Sequence, residues 1–271
     1  MNMRLYHMPS EPQGFTLDRL RCAVAKIDPA RISPLEQQGG GLRFRVPALD
    51  SLLQGGLGRG ALHEVTPAGP LELGAAFGFA VAIAALAAAD GRHVLLIETD
   101  FGVLEGGSPY GLGLDRFGLS LDRVLMMRLA HPRDVLWAFE EALKCPALAA
   151  IVAELPEAGA TADPVATRRL SLAAQAGGGF GLLLRHRASP LPTAAMTRWR
   201  VAAALSQGDR YGGLGRTAFD LCLNRNRRGR CGRVIACWNH DEQCFVPEAL
   251  SLGMAATARD RSDRAPLRRT A

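Results

Sequence analysis

Residues 61–98 constrain the fold more than any other stretch. An apolar run, Ala61 to Thr66, leads into a glycine-bounded segment, then a long alanine-rich apolar stretch of about Leu73 to Ala89, then a second apolar run, His93 to Ile97. Short continuous apolar runs read as strands buried on both faces, and the long one between them as the helix that returns the chain, so the order predicts a β-loop-α-β crossover. The connecting segment Gly69-Pro70-Leu71-Glu72-Leu73-Gly74-Ala75-Ala76 has the glycine spacing of a G-x-x-x-x-G-K-[ST] phosphate loop, with Ala75 and Ala76 where Lys and Ser/Thr belong. In a working loop the Lys reaches the β/γ-phosphates and the hydroxyl ligates Mg²⁺. Two alanines remove both groups, Glu72 adds a negative charge, and the only lysines, Lys26 and Lys144, lie elsewhere. A glycine-marked turn into a helix fits the same spacing; the strand-loop-helix-strand order is what favours the phosphate-loop reading.

The alternation continues. Helices are expected near 132–144 and 164–176, and strands at 148–153 and 179–184, the pattern of a parallel sheet covered on both faces. The four apolar segments 199–205, 218–224, 233–238 and 243–246 then follow without helices between them, which predicts an antiparallel extension of the same sheet. The fold class is therefore α/β: a mostly parallel central sheet flanked by helices, with antiparallel strands at its C-terminal edge. Residues 1–41 are expected to form an N-terminal amphipathic helix, Leu17, Leu20, Val24 and Ile27 recurring at helical spacing, and a Pro/Gly linker. Residues 42–252 form the core domain, and 253–271 a disordered basic tail.

No secretory leader is visible at the N-terminus, and the most apolar stretch, Ala75 to Ala89, reads as too short and too rich in Ala to span a bilayer, so a cytoplasmic protein is expected. Six cysteines without a CxxC pair suit a reducing compartment. Cys231, Cys237, Cys244 and His240 cluster loosely, in a spacing that matches no common zinc site, so no metal is assigned.

Three groups of residues could carry chemistry. Glu98 and Asp100 end one buried strand and Glu154 ends another, which sets carboxylates at the strand ends beside the loop; each also fits the polar exit of a strand. Thirty of the 32 basic residues are arginine, and eleven fall between Arg185 and Arg233 against two acids. Arg185, Arg187, Arg198 and Arg200 are the candidate DNA contacts there, with a solvated arginine surface as the alternative. Finally, Leu223-Asn224-Arg225-Asn226-Arg227-Arg228-Gly229-Arg230-Cys231-Gly232 is a basic hairpin with Gly229 at its turn.

That last segment resembles the K-N-R-x-G-x-x-G hairpin of RecA, RadA and hexameric helicase cores, with Arg225 in place of the Lys and Asn226, Arg227, Gly229 and Gly232 matching. Within that superfamily the chain is most similar to the ImuA family. The similarity covers roughly residues 46 to 250 and rests on Leu49 to Gly60, His63-Glu64-Val65, Gly74-Ala75-Ala76-Phe77-Gly78-Phe79, Tyr110 to Arg123 and the late basic hairpin. The resemblance implies a RecA-like fold whose loop lacks its lysine as a family trait, and a hairpin whose basic residues act in trans on a neighbouring subunit.

It also implies a non-catalytic adaptor role in DNA-damage-induced (SOS) translesion mutagenesis, with an ImuB-type protein, an error-prone polymerase subunit and, as a further partner, RecA. The alternatives are a weak ATPase or nucleotide sensor, with ATP as an impaired cofactor held by the backbone of Gly69 to Gly74, and a DNA-binding protein using the arginine-rich half. A cell-division inhibitor of the SulA type is the remaining reading.

Overall fold

A computed structural model describes residues 41–156, 163–206, 208, 213 and 215–247. The expected N-terminal helix and the basic tail lie outside the described residues. Helix α1 (Pro47–Leu52) precedes β1 (Ala61–Pro67), α2 (Leu73–Ala87), β2 (His93–Thr99), α3 (Asp100–Gly106), α4 (Gly111–Arg116), β3 (Val124–Leu129), α5 (Pro132–Leu143), β4 (Leu148–Leu155), α6 (Pro164–Gly177) and β5 (Phe180–Arg185). Four strands follow: β6 (Thr197–Ala203), β7 (Thr217–Asn226), β8 (Gly232–Asn239) and β9 (Cys244–Pro247).

All nine strands form one sheet in the order β3-β2-β4-β5-β1-β6-β7-β8-β9. Strands β3 to β6 in that order are parallel, and β7, β8 and β9 are antiparallel. The expectation of an antiparallel extension holds for these last three and fails for β6. That strand runs parallel to β1, with His63 opposite Thr197 and Pro67 opposite Val201. The chain crosses from β5 to β6 over β1 through residues 186–196 without a helix, so the missing helical pattern said nothing about strand direction.

Two cores sandwich the sheet. On one face α2 packs its buried alanines against Val65, Val94, Leu96, Val152 and Leu184, and its Phe79 against the later strands. There Phe44, Phe79, Trp199, Phe219, Trp238 and Phe245 form an aromatic cluster, with ring centroids 5.3 Å apart for Phe79–Trp199 and 4.9 Å for Trp238–Phe245. On the other face α5 and α6 bury Phe139, Leu143 and Leu170 against Leu62, Leu95, Ile151 and Leu183. Small side chains let α2 approach the sheet closely, which is why its sequence is so rich in alanine.

Counting the 3₁₀ turns at both ends, the helical run Pro70–Asp90 has 21 residues and a most apolar window of mean hydropathy 2.0, so it is longer than the stretch read from sequence. By length and composition it could cross a bilayer; 56% of that window is buried inside the protein, as a core helix requires.

Candidate functional site at the carboxyl ends of the parallel strands

The glycine-bounded segment joins β1 to α2. Ala68 donates its N–H to the Val201 carbonyl (2.7 Å), Gly69 is extended, and Pro70–Glu72 makes a single 3₁₀ turn closed by Glu72 N–H to the Gly69 carbonyl (3.1 Å). The Glu72 carboxylate then accepts the Ala203 N–H at the end of β6 (2.7 Å). A carboxylate belonging to the loop thus ties it to β6. Gly74 lies exposed in the first turn of α2, Ala75 is half-buried, and Ala76 is wholly buried in the core. Neither alanine offers a charge or an oxygen, so these residues do not fit Mg²⁺-ATP chemistry.

Beside the loop the three predicted carboxylates stand near one another with different partners. Glu98 is buried at the end of β2, where Ser108 Oγ donates to it (3.2 Å). Desolvation pushes its carboxyl above the usual carboxylate range, partly offset by the Ser108 bond and by Arg128, and aided by Glu154 and Asp100. Asp100, half-exposed, pairs with Arg128 (2.7 Å). Glu154 meets His186 Nε2 (2.5 Å), whose Nδ1 faces Glu105 (3.6 Å). His186 therefore bridges β4 and α3.

Two cavities open at this edge. The smaller, about 260 Å³, lies between Leu73, Gly74, Phe77 and the turn Gly107–Tyr110, with Glu154 as its charged wall. The larger, about 410 Å³, is apolar and runs from Gly74 and Ala75 past Tyr110 and Phe117 to Phe219. Leu71 is 97%, Leu104 82% and Leu205 93% exposed.

The predicted basic hairpin lies elsewhere. Register aligns His63, Thr197 and Asn226, so the turn beyond Asn226 sits at the amino ends of the parallel strands, the edge opposite the loop. Asn226 Nδ2 donates to the Leu52 carbonyl (2.9 Å), and the Arg225 and Arg227 guanidiniums donate to the Thr193 carbonyl (3.3 and 3.2 Å). Gly229 presses so close to α1 that a Cβ there would lie 2.3 Å from the Leu52 carbonyl oxygen. Gly232 packs on the Leu52 side chain, where a Cβ would come within 3.0 Å.

Of the candidate DNA contacts, Arg198 donates to Glu64 (3.3 Å) and to the Ser189 carbonyl (2.8 Å), and Arg185 faces Glu64 at 3.8 Å; Arg187 and Arg200 are exposed. Cys231 is exposed while Cys237 and Cys244 are buried. Both His240 ring nitrogens are engaged, by Thr217 Oγ1 and the Arg116 carbonyl (3.0 Å each), so the four do not converge.

Sequence reasoning missed two polar centres. Glu64, buried on β1, takes the Thr193 hydroxyl (3.0 Å) together with Arg198; its place in the His63-Glu64-Val65 segment of the family resemblance marked the residue but not its partners. His63, fully buried beside it in sequence, links Thr197 Oγ1 (2.8 Å) to the Gly58 carbonyl (2.9 Å), and Trp199 Nε1 donates to the same Thr197 oxygen (2.9 Å). Burial lowers the His63 pKa to about 4, partly countered by the Gly58 bond and helped by Arg228. A neutral ring satisfies the whole relay, with Nε2–H donating and Nδ1 accepting.

A parallel sheet in this strand order, with a glycine-bounded loop after its first central strand and antiparallel strands beyond, defines a RecA-like fold. The crystal structure of the RadB recombinase superposes with a TM-score of 0.53 over 77% of this chain and 99% of that one, at 15% identity. No protein-family model matches the sequence. Protein ImuA from two strains of Caulobacter vibrioides is 32% identical over 207 residues, which cover 72% of this chain and 82% of the relative. The chain belongs to the ImuA family.

Proposed function

We propose that this protein is a non-catalytic adaptor in DNA-damage-induced translesion mutagenesis, acting by docking on an ImuB-type protein and an error-prone polymerase subunit. Family membership supports the pathway. The observation that carries the non-catalytic part is the loop itself: Ala75 and Ala76 replace the cation and the metal ligand, and the Glu72 carboxylate is fastened to Ala203. An anion approaching that loop meets a negative side chain and no lysine, and loss of such charge contacts costs about 10²-fold or more each in phosphoryl transfer. The exposed leucines and the apolar cavity at the same edge offer a partner a surface to desolvate.

Phosphate release from ATP, measured with and without Mg²⁺, tests the catalytic half: no turnover is expected, and Mg²⁺-dependent hydrolysis would overturn it. Co-purification with the ImuB-type partner tests the docking half. The complex is expected to form equally well with and without added ATP and Mg²⁺, and a complex that forms only with nucleotide would point back to a nucleotide-gated protein.

A further inference from the structure

Far from the loop edge, the outer face of the β7–β8 hairpin carries two thiols. We propose that Cys222 and Cys231 are a peroxide-sensitive dithiol that closes into a disulfide across the base of the basic turn. Cys222 lies on β7, opposite Arg233 of β8, and Leu223 opposite Gly232, the last pair of the ladder, so Cys231 follows one step beyond it, diagonal to Cys222. Both thiols converge on one residue: Cys222 Sγ donates to Asn224 Oδ1 (3.1 Å) and Cys231 Sγ to the Asn224 carbonyl (3.4 Å). Asn224 is the extra residue of a bulge, because Arg198 pairs with Arg225 while Trp199 already pairs with Leu223. A bulge raises the local right-handed twist.

Diagonal Cα atoms across antiparallel strands ordinarily lie about 7–8 Å apart, while a disulfide spans up to about 6.8 Å, so closure asks for a shift of about 1 Å. The ladder between β7 and β8 ends at Leu223 and Gly232, which leaves Cys231 beyond the last paired residue and able to give that distance. Cys231 is exposed and Cys222 half-buried, so an oxidant reaches the first and the second can resolve it.

The chemistry balances with hydrogen peroxide as oxidant. The Cys231 thiolate attacks one peroxide oxygen, giving a sulfenic acid and, with one proton, a first water. The Cys222 sulfur then displaces the sulfenic hydroxyl, which leaves as a second water, so two thiols and one peroxide give one disulfide and two waters. The protein carries its own control. Cys237 and Cys244 are diagonal neighbours on β8 and β9, but both are buried, and burial raises the Cys244 thiol above its ordinary range.

The bond would clamp the base of the turn that carries Arg227, Arg228 and Arg230 and fix its width. The test treats the full-length chain with hydrogen peroxide, blocks remaining thiols with a maleimide and maps peptides without reduction. The expected product joins Cys222 to Cys231, loses both from labelling, regains both with dithiothreitol and keeps Cys237 and Cys244 out of any disulfide. Cys222→Ser is expected to stop at a dimedone-reactive Cys231, and Asn224→Ala, on an exposed position, to slow closure without preventing folding. Tryptic cleavage after Arg227 and Arg228 is expected to slow in the oxidised protein and not in oxidised Cys222→Ser. Cys231 joined to Cys22 or to a second copy, Cys231 over-oxidised while Cys222 still labels fully, or two unreacted thiols would each overturn the proposal.

Discussion

The two edges of the central sheet use their polar groups in opposite ways. At the amino edge His63, Thr197 and Trp199 form a closed relay to Gly58, Asn226 holds Leu52, and two arginines share the Thr193 carbonyl, so side chains there are spent on the protein itself. At the carboxyl edge the loop has lost its cation, acids stand close together, two cavities open, and Leu71, Leu104 and Leu205 face solvent. Loops at the carboxyl ends of the strands are where open α/β sheets keep their working surface. Here the closed edge carries the stability, and the open edge offers surface rather than reactive groups.

The largest test of that contrast is acid. The unfolded chain protonates His63 near 6.5, the folded chain only near 4, so stability present above 6.5 is lost as pH falls toward 4. From the difference of those two values the loss is about 3 kcal/mol. Urea titrations across this window are expected to show it and to flatten in His63→Gln; a flat wild-type curve would mean that the relay is not what pins the amino edge.

Next comes Gly229→Ala, whose added methyl would collide with the Leu52 carbonyl. About 2 kcal/mol is expected, read from the denaturant midpoint. The comparable glycine at the open edge, Gly74, would place an added methyl with nothing within 4 Å, so Gly74→Ala is expected to be neutral or slightly stabilising. Equal costs at the two glycines would erase the distinction.

Glu72→Gln weakens the tie to Ala203, for which about 1 kcal/mol is expected from the melting temperature. Smallest is Glu98. Its folded carboxyl is raised above 4.5, so its contribution is present below that value and fades as pH rises through the folded one, the reverse of His63. Glu98→Gln is expected to level this shallow slope in melting temperature against pH, and a steeper slope would assign the burial cost to another group.

Strands β1, β2, β4 and β5 were legible because burial on both faces leaves mainly apolar runs, as in residues 94–97. Strand β3 was not, since it lies at the sheet's outer edge with Met126 and Arg128 exposed and shows no clean period. Helices α3 and α4 are only seven and six residues long, too short for a 3.6-residue repeat to register. At the site, the loop and the strand-end acids could be read from spacing. The opposite placement of the Arg225 hairpin could not, because it depends on the pairing of Thr197 with Asn226, and Glu64 was hidden by its apolar surroundings until Arg198 and Thr193 were seen to reach it.

The succession of β7, β8 and β9 as consecutive neighbours at one margin has a mechanical meaning. Tension on the chain beyond Pro247 loads only the outermost strand, whose ladder with β8 has four residue pairs. Such a ladder peels one rung at a time instead of shearing as a block, so a tug from that side would loosen the margin while the inner parallel strands β2, β4, β5, β1 and β6, each gripped on two sides, keep their shape.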